Sequence, residues 1–316
     1  MSTAPGRPQA SSHRSPQGEG KLMSTLENQP GTPRALIPGY LAPAHEKAGH
    51  WMGQLLVFIG ITAILLPIAW IALTAFKLPR DVYTLNAAFN FTPTLDNLQT
   101  VFQHPWNLGS KIINSFAVAG GTVLLAIPMA TMAAYAFSRF DFRFKKTIFL
   151  VVIASQFIPA AVIVLPYFLM FKQLGLLDTR SALVLVNMSI VLPYAVWMMK
   201  GFIDAVPLEI EESAMVDGAH RARVILEIVV PAALPGIITA AVFSFTLTWN
   251  EFLFALIISK QDALTLPIGL IGFRTERGDL WELMAAGGIL ITAPMFIISL
   301  LVQKQFIQSL TAGSVR

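Results

Sequence analysis

Six long apolar runs constrain this chain more than any other feature: Trp51–Phe76, Ile112–Ser138, Thr147–Phe171, Ser181–Met199, Ile228–Ser259 and Leu283–Gln303. Five hold no charged residue and the fifth in chain order holds only Glu251. A helix needs about 20 apolar residues to cross a hydrocarbon layer roughly 30 Å thick. A charge at its centre costs at least about 2.5–3.5 kcal/mol. Backbone polar groups in lipid must be satisfied within the segment, so each run is expected to be helical. Charged residues make up only 13% of the chain, against about 25% in soluble domains, too few to cover a water-exposed surface. The expectation is an all-α polytopic membrane protein with six transmembrane helices spanning residues 51–309.

The flanks differ. Residues 1–50 open with MSTAPGRPQASSHRSPQGEGK, rich in Pro, Gly, Ser and Gln. Such a segment buries too little apolar surface to offset its ordering entropy, and it is expected to be a disordered cytoplasmic tail. A second Met-Ser-Thr at Met23 leaves the start open between Met1 and Met23. Residues 310–316 are expected to form a short C-terminal tail. With both termini inside, the inner segments hold fourteen Lys and Arg and the outer segments eight, and the turn RFDFRFKK alone carries four. The positive-inside rule then places both termini in the cytoplasm. The net charge of +4 reflects this bias, and no nucleic-acid partner is expected. Cysteine is absent, which excludes disulfides and thiolate chemistry. Prolines recur inside the runs, among them Pro67, Pro128, Pro159, Pro166, Pro193, Pro235 and Pro294; each removes a helix donor, giving either a packing kink or a hinge.

One polar stretch interrupts the apolar pattern. Residues 205–228, between the fourth and fifth runs, read as a short helix with defined ends. Pro207 suits its first turn, and Glu209, Glu211 and Glu212 lie near the positive end of its dipole. Gly218 then permits the left-handed residue at which a helix stops. A second short helix, Ala219–Ile228, leads back to Pro231. An acidic helix is repelled by anionic lipid, so a protein groove is its better host.

The spacing Glu212-Ser213-Ala214, three residues, Gly218, nine residues, then Ile228-Val229-Val230-Pro231 resembles the EAA motif of ABC importer permeases. Ser and Val stand where the motif has Ala and Leu. The segments SRFDFRFK, LPYAVWMMKGF, SFTLTWNEFLFALII and QFIQSLTAGSVR are similar to the carbohydrate branch of that family, in particular the smaller membrane subunit of the maltose transporter. The likeness covers about residues 50–316. It implies a MetI-like fold in a bacterial cytoplasmic (inner) membrane. It implies pairing in lipid with a second homologous permease, two ATPase subunits below that hold ATP and Mg, and an extracytoplasmic sugar-binding protein above. By this likeness Glu212, Ser213, Ala214, Met215, Asp217, Gly218, Ile228 and Pro231 couple the chain to the ATPase.

No G-x-x-x-x-G-K-[ST], H-E-x-x-H or G-x-S-x-G occurs in the chain, so no cofactor is expected on it and the energy has to come from a partner. Sugars present apolar C–H faces and hydroxyl edges, which suit aromatic rings flanked by hydrogen-bonding groups. Asn114, Gln156, Tyr194, Trp197, Trp249, Asn250 and Glu251 are therefore candidates to line a solute path. Glu251 also admits two other readings, a structural or interfacial acid and the proton site of an ion-coupled secondary transporter.

Overall fold

The computed structural model describes residues 44–312, apart from Leu85, Asn86 and Arg277. The expected tails therefore lie largely outside the described residues. Two compact units divide at Ile64. In the first, the described part is the opening stretch of helix α1, Ala44–Thr74. Its first residues, 44–50, fall in the segment expected as tail and are helical. The second unit begins at Leu65.

Among the described residues, four helices are long and apolar enough to cross a membrane: α1 from Trp51 to Thr74, α4 (Leu108–Arg139), α7 (Arg180–Asp204) and α14 (Trp281–Ala312) over Trp281–Gln303. The other two expected spans are broken. The run Thr147–Phe171 divides into α5 (Lys145–Ala154), a 3-10 turn (Ser155–Phe157) and α6 (Ala160–Gln173), with a bend of 95°. The cause is Pro159: Ile158 before it is forced into extended backbone (ψ 118°), and a new helix starts after it. The run Ile228–Ser259 divides further. A π-helical turn (Ile225–Val229) leads through α10 (Val230–Ala232) to α11 (Leu234–Trp249) with a bend of 75°, and α12 (Leu253–Ile258) is separate. Pro235 sits in the first turn of α11, where its missing donor costs nothing. The count reaches six only if each bent pair is one span. Pro67, Pro128, Pro166, Pro193 and Pro294 lie within continuous helices.

Two short helices, α2 (Pro79–Val82) and α3 (Asp96–Thr100), occupy the loop after α1. Buried Asn97 ties that loop back, its Nδ2 donating to the carbonyls of Ala75 (2.9 Å) and Lys77 (2.7 Å). Between α13 (Leu266–Ile271) and α14 the chain forms a two-stranded antiparallel ribbon, β1 (Arg274–Thr275) against β2 (Gly278–Asp279), with Arg274 opposite Asp279. This is the one departure from an all-helical fold among the described residues.

α4 and α7 form the most extensive helix contact, and α11 packs on both. Small residues allow the approach. A Cβ on Gly236 of α11 would overlap the Phe202 ring of α7. One apolar cluster joins Ala130 and Ala134 of α4, Met199 and Ile203 of α7, and Val224 and Val229 of the return segment. A second, around Trp249, Leu266, Phe273 and Ala286, fastens α11 and α13 to α14. A third seats Phe254 and Ile258 of α12 on α7 near Phe171.

Candidate functional site

The polar stretch after α7 folds into α8 (Leu208–Val216) and α9 (Arg221–Val224). Pro207 precedes α8 with extended backbone (φ −59°, ψ 131°), one position earlier than expected. Glu209 and Glu211 occupy its first turn, where the helix dipole favours them. At the other end, the Ala219 N–H donates to the Ala214 carbonyl (3.0 Å) and the Gly218 N–H to Met215 (3.1 Å). This is the left-handed helix stop that glycine permits. Gly218 has φ +90° with open space around it, so backbone conformation and not crowding calls for glycine here. His220 then caps α9, its Nδ1 accepting the Arg223 N–H at 3.2 Å. In place of a second regular helix over Ala219–Ile228, a π turn follows α9.

Glu212, Ser213, Met215, Asp217 and Gly218 are exposed, as is Pro231; Ala214 and Ile228 are half-buried against the first apolar cluster. Leu208, Ile210 and Val216 are exposed too. α8 therefore presents a mixed acidic and apolar surface. Within the helix, Ser213 Oγ donates to the Glu209 carbonyl (2.8 Å).

Glu211, the residue beside the motif acid, is the only buried residue of α8. Its Oε1 accepts from Arg139 Nε at 2.7 Å and its Oε2 from the Tyr135 hydroxyl at 3.0 Å. Arg139 Nη2 also donates to the carbonyls of Ile203 (3.0 Å) and Val206 (2.7 Å). Tyr135 and Arg139 are four residues apart at the end of α4, hence on one face. That spacing is readable in the sequence; their partner on a separate helix is not.

The solute-path candidates do not converge on one place. Gln156, Tyr194 and Trp197 line one open cavity of about 320 Å³ with Ile153, Phe157 and Pro193, at the break between α5 and α6. Trp249 is buried between α11 and α14, where its Nε1 donates to the Ile291 carbonyl (3.1 Å) and its ring packs on Phe116 and Phe245. Exposed Asn250 donates back to the Thr246 carbonyl (2.9 Å). Both Glu251 oxygens accept backbone N–H groups of the α12 start, from Phe254 (2.7 Å) and Ala255 (3.1 Å). Asn114 is buried at the far end of α4. It donates to the carbonyls of Asp262 (2.8 Å) and Leu264 (2.9 Å) and accepts from Arg180 Nε (2.7 Å). Among the described residues, no three His, Asp or Glu side chains come together to hold a metal ion.

Residues 123–311 match the family described as binding-protein-dependent transport system inner membrane component. The chain belongs to this family. It is an inner-membrane permease of the MetI-like type, and α8 with its glycine stop lies inside the matched region. A probable ABC transporter permease of Sinorhizobium fredii, y4oR, is 34% identical over 80% of this chain and 90% of its own. The diacetylchitobiose uptake system permease DasC of Streptomyces coelicolor is 30% identical over 82% of this chain and 94% of its own. Among solved structures, a bacterial ABC transporter involved in alginate import superposes with a TM-score of 0.71 at 18% identity, covering 85% of this chain and 99% of that one. That likeness shows the shared fold.

Proposed function

We propose that this chain is one permease of an ABC importer for a sugar or oligosaccharide, driven through α8 by a separate ATPase. The exposed acidic and apolar face of α8, ended by Gly218 at φ +90°, carries the reading. A short rigid helix can seat in a groove and transmit displacement where a flexible loop would absorb it. Ser213, Ala214 and Gly218 keep it narrow enough to do so.

In this reading both termini lie in the cytoplasm and the chain pairs in lipid with a second homologous permease. Two ATPase subunits, holding ATP and Mg, receive α8 and its counterpart. An extracytoplasmic sugar-binding protein delivers solute to the opposite side. Closure of the ATPases displaces α8, and the breaks at Pro159 and Pro235 are positions where the bundle can flex, since each already lacks helix hydrogen bonds. The sugar assignment rests on the diacetylchitobiose relative and on the cavity at Gln156, Tyr194 and Trp197. Two aromatic rings and an amide beside a space of about 320 Å³ suit one sugar ring, at the small end of ligand pockets.

The test is uptake by cells or proteoliposomes carrying the complete transporter with Gly218→Pro or Glu212→Lys. Proline fixes φ near −65° and cannot adopt the observed turn. Each variant should insert and assemble, yet lose uptake, with partner ATP hydrolysis no longer responding to the loaded binding protein. Unimpaired uptake in either variant refutes the coupling role.

A further inference from the structure

The family motif makes no use of Glu211, yet this is the residue by which α8 is fixed to the rest of the molecule. We propose that Arg139 is a positioning residue: through Glu211 it joins α8 to α4 and α7 as one rigid body, so that displacement of α8 reaches both helices without slip. The inference rests on the reading of α8 as the coupling helix.

Apolar packing alone does not hold α8. Leu208 is 45% exposed, Ile210 50% and Val216 87%, and of the helix only Ala214 reaches the adjoining apolar cluster, with Ala219 just beyond the glycine stop. The guanidinium, by contrast, touches three elements. Its Nε meets Glu211 of α8, and its Nη2 meets the Ile203 carbonyl of α7 and the Val206 carbonyl of the linker. A planar guanidinium holds several acceptors in fixed relative directions, which a lysine ammonium cannot do. Tyr135 occupies the second carboxylate oxygen, so the acid is held from two positions on α4.

Burial makes the joint stiff. Glu211 is 1% exposed and the Arg139 side chain 11%. Separating the two would leave an unpaired charge away from water, which is far costlier than any exposed ion pair. Force on α8 is therefore expected to move the pair together. The exposed pair Arg223–Glu227 (2.8 Å, both side chains 60% exposed) offers no such resistance.

The chain has no cysteine, so it adds no labelling background of its own once any cysteines of the partner subunits are replaced. In the complete transporter, labels at Val216→Cys on α8 and Met132→Cys on α4 report the distance between the two helices, with and without trapping by ATP and vanadate. With Arg139 and Glu211 intact, the distance distribution should be the same in both states. With Glu211→Gln or Arg139→Lys added, it should shift or broaden on trapping. A shift in the otherwise unaltered protein, or variants that track it in both states, overturns the joint. If the variants do not assemble, the unaltered label pair alone can still overturn it. Failure of the underlying reading is separate: it would appear as normal uptake in Glu212→Lys, whatever the distances show.

Discussion

Where α7 hands over to α8, the one buried carboxylate of Glu211 carries the polar attachment and an entire helix face is left open. At the far ends of α4 and α7 the arrangement is reversed. There the segment 259–266 is held from several sides. The Asp178 carboxylate accepts the backbone N–H groups of Lys260 (2.8 Å), Gln261 (3.0 Å), Asp262 (3.1 Å) and Ala263 (3.0 Å). Asn114 bridges Asp262, Leu264 and Arg180, and Ser115 Oγ accepts the Leu266 N–H (2.8 Å). A segment pinned at many points resists local opening, and a helix held at one point can be moved as a unit. The contrast fits a molecule whose far end keeps its form while the α8 end receives motion.

The largest effect is expected from Asn114→Ala. It leaves the partly buried carbonyl bonds of Asp262 and Leu264 and the Arg180 guanidinium without their partner, a loss of about 2–4 kcal/mol. Thermal unfolding in detergent should show a midpoint lower by roughly 5–10 °C. A variant that melts with the parent would mean that the far end is not pinned there and would remove the contrast.

Asp178 sharpens the comparison through pH. Burial pushes its carboxyl upward, but the backbone N–H groups of Lys260, Ala263, Asp262 and Gln261 outweigh that and hold it below the ordinary Asp range. A lowered carboxyl contributes stability that is fully present above the ordinary range and is lost as pH falls through the lowered value. Amide-exchange protection at residues 260–263, corrected for intrinsic rates, should therefore fall in acid. Asp178→Asn should already be less protected at neutral pH, by about 1–2 kcal/mol, with little further loss in acid. Protection independent of pH in the parent would count against the clip.

The smallest effect is expected from Ser213→Ala, which restores the residue usual in the motif. The lost bond to the Glu209 carbonyl is offset by the better helix propensity of alanine, leaving a change within about 0.5 kcal/mol. Uptake should be unaltered; a marked fall would show that the hydroxyl meets the partner rather than its own helix.

Several features are legible in the amino-acid order alone. The apolar runs announce membrane helices because charge is so costly in lipid. The acidic helix and its stop at Gly218 follow from dipole and backbone rules that act within a few residues. Pro159 and Pro235 mark possible bends, since each deletes a donor, but Pro128 and Pro193 look the same in sequence and sit in continuous helices. Whether a proline breaks a helix depends on what neighbouring helices supply, which no local pattern encodes.

The polar residues show the same limit. Trp249-Asn250-Glu251 reads as a sugar site by composition, yet its tryptophan is buried against α14 and its carboxylate is engaged by the start of α12. Asn114 is engaged by a loop about 150 residues away in sequence. Chain chemistry by itself determined a membrane protein with a short acidic helix between apolar runs, because insertion cost, dipole and backbone freedom depend on residue type and near neighbours. Tertiary structure alone decided that Glu211 rather than Glu212 fastens that helix, and that Arg139 receives it. Which of two adjacent carboxylates faces inward depends on how α8 lies against α4, and that is set by packing between segments distant in the chain.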